Sequence, residues 1–227
     1  MKRVWQTKAQ KDVFVTLLLS SSVSVGLLLI RIVVTGTSRL SFLLWNLFLA
    51  WLPLIFAFWL KLRLTGKKVP DWKELFLVGV WLVFLPNSFY MLSDLIHLQS
   101  SGEVILLYDT ALVASFVING LILGYLSLYI VHQFTKKYFG ATFAYFFSQS
   151  VLFLSGFAIY LGRYLRWNTW DVVVNPAGLV FDVSDRVINP GTHVHTFIVT
   201  GVFYVLLGST YAVIYRLAET ARITSKR

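Results

Sequence analysis

A chain of 227 residues in which 57% of side chains are hydrophobic and 13% are charged has too little polar surface for a soluble globule, since soluble domains carry about 25% charged residues. The net charge of +10 does not indicate nucleic acid, because Lys and Arg cluster beside apolar blocks, where anionic lipid headgroups attract them, instead of forming one basic stripe. The sequence contains no Cys, which excludes disulfides and thiolate chemistry.

Six blocks of about 20 mainly apolar residues, the length that crosses a hydrocarbon core, predict six spanning helices. They cover residues 13–34, 40–60, 75–95, 110–131, 141–161 and 196–215. The first block follows four basic residues, but it is long and no small-residue cleavage site follows it, so we interpret it as a retained anchor. We expect an all-α polytopic transmembrane helix bundle that forms a single domain over residues 1–227.

The Lys and Arg residues between the blocks predict the orientation, because positive residues accumulate on the cytoplasmic side of a membrane. With the N-terminus inside, fifteen of the twenty Lys and Arg residues fall on the cytoplasmic side. The five on the outer side are Arg31, Arg39, Arg163, Arg166 and Arg186. Both termini are therefore expected in the cytoplasm.

The second and fourth spans contain amide, small and proline residues that predict close helix contacts. Asn46 and Pro53 lie in the second span, and Asn119 lies with Gly120 and Gly124 in the fourth. An alternative hypothesis is that the two amides line a polar path through the membrane. Near the end of the fourth span, His132 is expected at the membrane interface.

The third span ends in a run of polar residues after Pro86. At 100° per residue, Asn87, Tyr90, Asp94 and His97 fall within about 80° of arc and form one polar stripe. The proline removes a backbone donor and can leave carbonyls for ligands or neighbouring side chains. The alternative is a packing kink in which Asn87 bonds to another helix.

Because the spans alternate in direction, polar residues at the ends of the third to sixth spans are expected at one membrane face, the outer one. The candidate catalytic residues are Asp94, His97, Asp109 and Asp171. The candidate ligand-binding residues are Asn87, Tyr90, Arg163, Arg166, Trp167 and Asn168. The simpler alternative is that helix ends ordinarily carry charges and that Trp167 and Trp170 belong to an interfacial aromatic belt.

These residue types suit two kinds of chemistry. Arg163 and Arg166 are suited to clamp a phosphate or a carboxylate, as guanidinium groups do. A divalent metal as cofactor is a second hypothesis, with Asp94, His97, His193 and His195 as its ligands. The sequence has no His-Glu-x-x-His motif, no glycine-rich phosphate loop and no Gly-x-Ser-x-Gly motif, so it identifies no nucleophile and leaves open whether the protein is an enzyme.

The longest connection, residues 162–195, carries two turn signals around an apolar run. These are Asn175-Pro176 and Asn189-Pro190-Gly191. They predict either a short hairpin or a segment lying on the outer membrane surface.

Several strings in the sequence together resemble a bacterial multipass membrane family catalogued as domain of unknown function 1361. They begin at Trp45-Asn46, at Phe84-Leu85-Pro86-Asn87, at Tyr108-Asp109 and at Tyr160-Leu161-Gly162-Arg163. The resemblance covers Trp45 to Asp171 and is expected to extend over the whole chain. It implies a location in the bacterial plasma membrane and supplies no activity.

Three functions remain open from the sequence. The first is an envelope enzyme, or a binder of a lipid or small anionic ligand, that acts at the outer face. The second is a small-solute transporter or channel, and the third is a structural or assembly partner of another membrane protein. Membrane lipids are the expected partners and nucleic acid is not, while a membrane-protein partner or a homo-oligomer stays open.

Overall fold

The computed structural model describes residues 8–98 and 103–224, and within these ranges the chain is helical with no β-strand. The helices are α1 (Lys8–Thr35), α2 (Phe42–Leu64), α3 (Trp72–Tyr90), α4 (Glu103–Phe139), α5 (Ala141–Tyr164), α6 (Asp171–Val174), α7 (Pro176–Ile188) and α8 (Val194–Thr224). A 3₁₀ helix, Met91–His97, continues directly from α3. The predicted all-α fold is confirmed.

Six helices in the described ranges are long and apolar enough to cross a membrane, as predicted. These spans are Gln10–Thr35, Phe42–Leu64, Trp72–His97, Ile105–Phe139, Ala141–Tyr164 and Val194–Arg222. Most helices continue beyond the apolar blocks, and α4, with 37 residues, extends well past both ends of residues 110–131. Polar residues such as Gln133 and Lys136 end an apolar block but are good helix formers, so the helix continues through them.

The chain divides into two compact units, Met1–Ser127 and Leu128–Arg227, and the division falls inside α4. Within the first unit α2 packs along α3, and within the second α5 packs along α8. The single transmembrane domain expected from the sequence stays a prediction.

A capping box begins α3 directly after the basic connection from α2. The Asp71 carboxylate accepts hydrogen bonds from the backbone N–H groups of Lys73 and Glu74, and the Glu74 side chain accepts one from the Asp71 N–H at 3.0 Å. Lys67 Nζ lies 2.9 Å from both carboxylates. Hydrogen bonds with Glu74 and Lys67 hold the pKa of Asp71 well below its usual range.

The small residues of α4 allow α3 to approach closely, as their spacing predicts. A Cβ added to Gly120 would lie 2.6 Å from the backbone oxygen of Ser88, and one added to Gly124 would lie 2.8 Å from the Phe89 ring. Such distances are too short for carbon, so alanine does not fit at either position. Glycine is needed here for helix packing.

Asn119 joins α4 to α1 through hydrogen bonds between buried side chains. Its Nδ2 donates to Ser24 Oγ at 3.1 Å, and its Oδ1 accepts from Ser21 Oγ at 3.5 Å. Trp51 Nε1 of α2 donates to the same Ser21 hydroxyl at 3.2 Å. The packing role predicted for the fourth-span amide is therefore supported, since its hydrogen-bonding groups are used between helices.

The connection between α5 and α8 contains helices α6 and α7 and no hairpin, so the hairpin alternative was wrong. Asn175 is the N-cap of α7, where its Oδ1 accepts from Gly178 N at 3.1 Å, and Pro176 occupies the first turn. Asparagine followed by proline is favourable both in a turn and at a helix start, which explains the error.

Candidate functional site

Asp94, one of the predicted catalytic and metal-binding residues, is buried in the 3₁₀ helix with 1% of its surface exposed. Its Oδ2 accepts a hydrogen bond of 2.8 Å from Asn46 Nδ2 in α2. Asn46 and Asp94, which the sequence analysis treated separately, therefore form one contact between helices. Burial keeps water away from the carboxylate, and Asn46 supplies a hydrogen-bond donor in place of water.

The arc calculated for the predicted polar stripe does not apply beyond Tyr90. Its calculation assumed α-helical geometry, but the helix changes to 3₁₀ after Tyr90, where successive residues are about 120° apart. Asn87 Nδ2 donates to Phe84 O of its own helix at 2.9 Å. The His97 ring packs edge-on against Phe42 with 4.8 Å between ring centroids.

Asp109 forms a buried ion pair with Arg31, which the sequence analysis used only to count charges. The guanidinium Nε and Nη2 donate to the two carboxylate oxygens at 2.7 and 3.0 Å. Arg31 Nη1 also donates to Thr37 Oγ1 at 2.8 Å. This two-point geometry joins α1 to α4 and satisfies the Asp109 carboxylate from within the protein.

The sequence candidates of the second unit lie in the connection between α5 and α8 or at its two ends. Trp167 Nε1 donates to Asp182 Oδ2 of α7 at 2.7 Å. The Asp171 carboxylate accepts from the Asn168 backbone N–H at 2.7 Å, which closes the turn before α6. Trp167 therefore anchors α7, while Asp171 and Asn168 shape the local turn.

The two predicted histidines at the start of α8 have different surroundings. His193 Nε2 lies 2.8 Å from Asp185 Oδ2 of α7. Hydrogen bonds from Asn189 and from His193 lower the pKa of the Asp185 carboxyl. His195 is exposed and packs edge-on against Tyr164, with 4.7 Å between ring centroids.

The two arginines predicted as an anion clamp lie at the end of α5 and just after it. Arg163 is partly exposed in the last turn of α5, where its charge complements the helix dipole. Arg166 is exposed and has a φ of 61°, a left-handed backbone conformation that costs a residue with a Cβ about 1 kcal/mol. That conformation turns the chain immediately before Trp167.

Arg186 of α7 is a further candidate that the sequence analysis used only for the charge count. It is 7% exposed, and its Nη1 donates to Asp182 O at 2.6 Å and lies 3.4 Å from Asp182 Oδ1. Its Nε is buried and has no hydrogen-bond partner within the described part of the chain. A buried donor of a charged group without a partner is uncommon and requires an explanation, such as an ion or water at the site.

The apolar side of α7 is exposed, and its acidic and basic side chains are the more buried ones. Exposed apolar residues recur at helical spacing, and they are Val180, Phe181, Val187 and Ile188. Asp182, Asp185 and Arg186 are buried or partly buried. The exposed stripe is the kind of surface that an interfacial helix turns toward lipid. The sequence signal for this arrangement was the apolar spacing between 180 and 188.

The structure does not join the predicted residues into a metal centre. No group of three or more His, Asp or Glu side chains within residues 8–98 and 103–224 lies close enough to hold a metal ion. Asp94, Asp109 and His97 belong to the first unit, and Asp171, His193 and His195 to the second. Their catalytic and metal-binding roles remain predictions without a ligand cluster to support them.

His132 was expected at the membrane interface, which stays a prediction, and within the protein it is buried, with 3% of its surface exposed. Its neighbours Ser148 and Tyr211 come from α5 and α8 and are far away in sequence. Periodicity within one helix does not reveal such a cluster. The only sequence signal was an ionisable residue at the end of an apolar block.

A family model described as protein of unknown function (DUF1361) matches residues 45–207. The matched region contains most of α2, all of α3, α4, α5, α6 and α7, and the first part of α8. No curated protein and no solved structure matches the chain.

Proposed function

We propose that this chain, which belongs to the DUF1361 family of multipass membrane proteins, binds a phosphate- or carboxylate-bearing ligand at the outer membrane face through the connection between α5 and α8. The observation that carries the proposal is the buried Arg186 guanidinium, whose Nε has no hydrogen-bond partner among residues 8–98 and 103–224. Arg163, in the last turn of α5, and Arg166, just after α5, supply further positive charge at the start of this connection. The family description supplies no activity, so the argument depends on the site.

The orientation is part of the proposal. With both termini in the cytoplasm, fifteen of the twenty Lys and Arg residues lie inside, and the connection that contains Arg186 lies outside. The resemblance to a bacterial family supports a location in the bacterial plasma membrane. The ligand site then faces the cell envelope.

The chemistry of the connection favours an anion as ligand. A guanidinium is planar and has donors on three nitrogens, so Arg186 can bond to Asp182 through Nη1 and still offer Nε to an oxygen of a second group. Phosphate and carboxylate oxygens suit this geometry. The exposed apolar stripe of α7 favours a lipid headgroup over a free anion, because a helix of this kind lies among headgroups.

Native mass spectrometry of the full chain tests the proposal with two probes, an anionic phospholipid (phosphatidylglycerol) and inorganic phosphate. Wild type is compared with Arg186→Gln, and with Arg216→Gln as the matched control, because Arg216 is exposed on α8 away from the connection. We expect the control and wild type to retain the phospholipid and Arg186→Gln to lose it while the melting temperature is preserved. Retention of inorganic phosphate alone would identify a free anion as the ligand.

Equal retention of both probes by wild type and by Arg186→Gln would overturn the proposal. Arg186→Lys provides a second variant in case the Gln variant does not fold, since it keeps the charge and removes the fork-shaped donor set. We expect it to bind more weakly than wild type.

For the first unit a structural role is the second candidate, favoured by a specific observation. Asp109 is paired with Arg31 at two points, and Asp94 accepts from Asn46. Carboxylates that are satisfied by neighbouring helices support assembly of the bundle more directly than they support catalysis.

A further inference from the structure

A buried polar cluster in the second unit joins α4, α5 and α8 at His132. Ser148 Oγ lies 2.8 Å from His132 Nδ1, and Tyr211 OH lies 3.0 Å from the same nitrogen. Ser148 is fully buried and Tyr211 is 2% exposed. All three residues belong to helices long and apolar enough to span a membrane, where ionisable side chains are rare and functional by default.

The cluster can satisfy either protonation state of the imidazole. A neutral ring with a bare Nδ1 accepts a hydrogen bond from one hydroxyl, and a ring protonated at Nδ1 donates to a hydroxyl oxygen. Serine and tyrosine hydroxyls rotate and can play both parts. Gain or loss of a proton therefore requires a change in hydroxyl orientation and no movement of a helix.

A ladder of contacts, a ring stack followed by two polar contacts, leads from the cluster toward the C-terminal end of α4. The His132 ring stacks on Tyr215 with 4.5 Å between centroids. Tyr215 OH accepts from Lys136 Nζ at 3.0 Å, and Lys136 is paired with Glu219 at 3.2 Å. Lys136 and Glu219 are partly exposed, at 34% and 23% of their side-chain surface, so the ladder ends at the protein surface.

We propose that the Ser148, His132 and Tyr211 cluster is a proton-binding site that exchanges protons with the surface along the ladder ending at Lys136 and Glu219, with water carrying the proton past the ring stack of His132 and Tyr215. The ligand is the proton, which needs no cavity and no metal. The titratable and charged groups around His132 come from α4 and α8, while α5 contributes the Ser148 hydroxyl. They are Tyr129, Lys136, Tyr211, Tyr215 and Glu219.

Nitrogen NMR of the full chain, labelled with ¹⁵N-histidine and placed in lipid nanodiscs, tests the proposal directly. The chain has four histidines, and His132→Gln identifies the resonances of His132 by their loss. His195→Gln is the matched control, because His195 is exposed at the other end of α8. We expect reversible protonation of the His132 ring within the pH range over which the protein stays folded.

Two further variants separate proton binding from a purely structural role. Ser148→Ala and Tyr211→Phe each remove one hydroxyl and keep the imidazole, and we expect each to shift the pH at which the ring titrates. A His132 ring that stays neutral across the whole range would overturn the proposal. So would titration that is unchanged in both variants, even if both have a lower melting temperature.

The exchange path has its own test. Glu219→Gln removes the carboxylate at the end of the ladder. We expect proton exchange at His132, measured from the line broadening of its nitrogen resonances, to be slower than in wild type. Unchanged exchange in this variant would overturn the proposed path.

Discussion

Arg31 and Arg186 are both buried arginines, but their surroundings differ. The Asp109 carboxylate accepts two hydrogen bonds from Arg31, whereas the Nε of Arg186 has no hydrogen-bond partner in the described part of the chain. Removing one partner of a buried ion pair leaves an uncompensated charge, whereas a buried donor without a partner can accept a ligand oxygen. The first arginine is therefore suited to holding helices together and the second to holding a ligand.

Asp109→Ala should destabilise the protein by about 3 kcal/mol, because it leaves the Arg31 guanidinium buried without its carboxylate. Unfolding of the purified protein in detergent, followed by circular dichroism, measures the change. Arg31→Met combined with Asp109→Leu removes both charges and should recover much of the lost stability. An Asp109→Ala variant as stable as wild type would show that the ion pair does not stabilise the bundle.

Asp185 should make the stability of the second unit depend on pH. Its folded pKa is lowered by hydrogen bonds with Asn189 and His193, so its contribution is fully present above the ordinary aspartate pKa of about 3.9 and decreases as pH falls below that value. The measurement is the difference in melting temperature between wild type and Asp185→Asn across this pH range. We expect the difference to be largest at neutral pH and to shrink on acidification, and a constant difference would contradict the assignment.

At the scale of helices, Gly156 determines how closely α5 and α8 approach. A Cβ at this position would lie 2.8 Å from the backbone oxygen of Thr200, and backbone cannot move aside as a flexible side chain can. Gly156→Ala should cost about 1 to 3 kcal/mol through overpacking. Gly201→Ala on α8 is the matched control, because a Cβ there meets nothing within 4 Å, and it should be neutral or slightly stabilising.

Denaturant titration of both glycine variants in detergent measures the effect. A Gly156→Ala variant that unfolds at the same denaturant concentration as Gly201→Ala would show that the helices can separate without cost at this point.

The helices could be predicted from the sequence much better than the contacts between them. Apolar length alone identifies six spans, because each must cross the same hydrocarbon thickness. The 3₁₀ helix after Tyr90 and the helix start at Asn175 were missed, since local residue preferences at both places allow more than one backbone conformation. The partners of Asp109 and His132 depend on tertiary packing, which periodicity within a single helix cannot supply.

At the scale of the whole molecule, the arrangement of charges predicts which connections face the cytoplasm. The connection between α2 and α3 contains several basic residues, while that between α5 and α8 lies on the side with few. Positive residues resist translocation, so the first connection should stay inside and the second should be exported. This orientation also determines whether the proposed anion site lies on the outer face of the membrane.

Because the chain contains no Cys, single cysteines can report the orientation without background. Lys68→Cys places a thiol in the α2–α3 connection, and Gly191→Cys places one before α8, where an added Cβ meets nothing within 4 Å. In intact bacterial cells a membrane-impermeant maleimide should label Gly191→Cys and leave Lys68→Cys unlabelled until the membrane is opened. The reverse pattern would place Arg186 on the cytoplasmic side, so that the anion ligand would have to be sought on the face opposite to the one proposed.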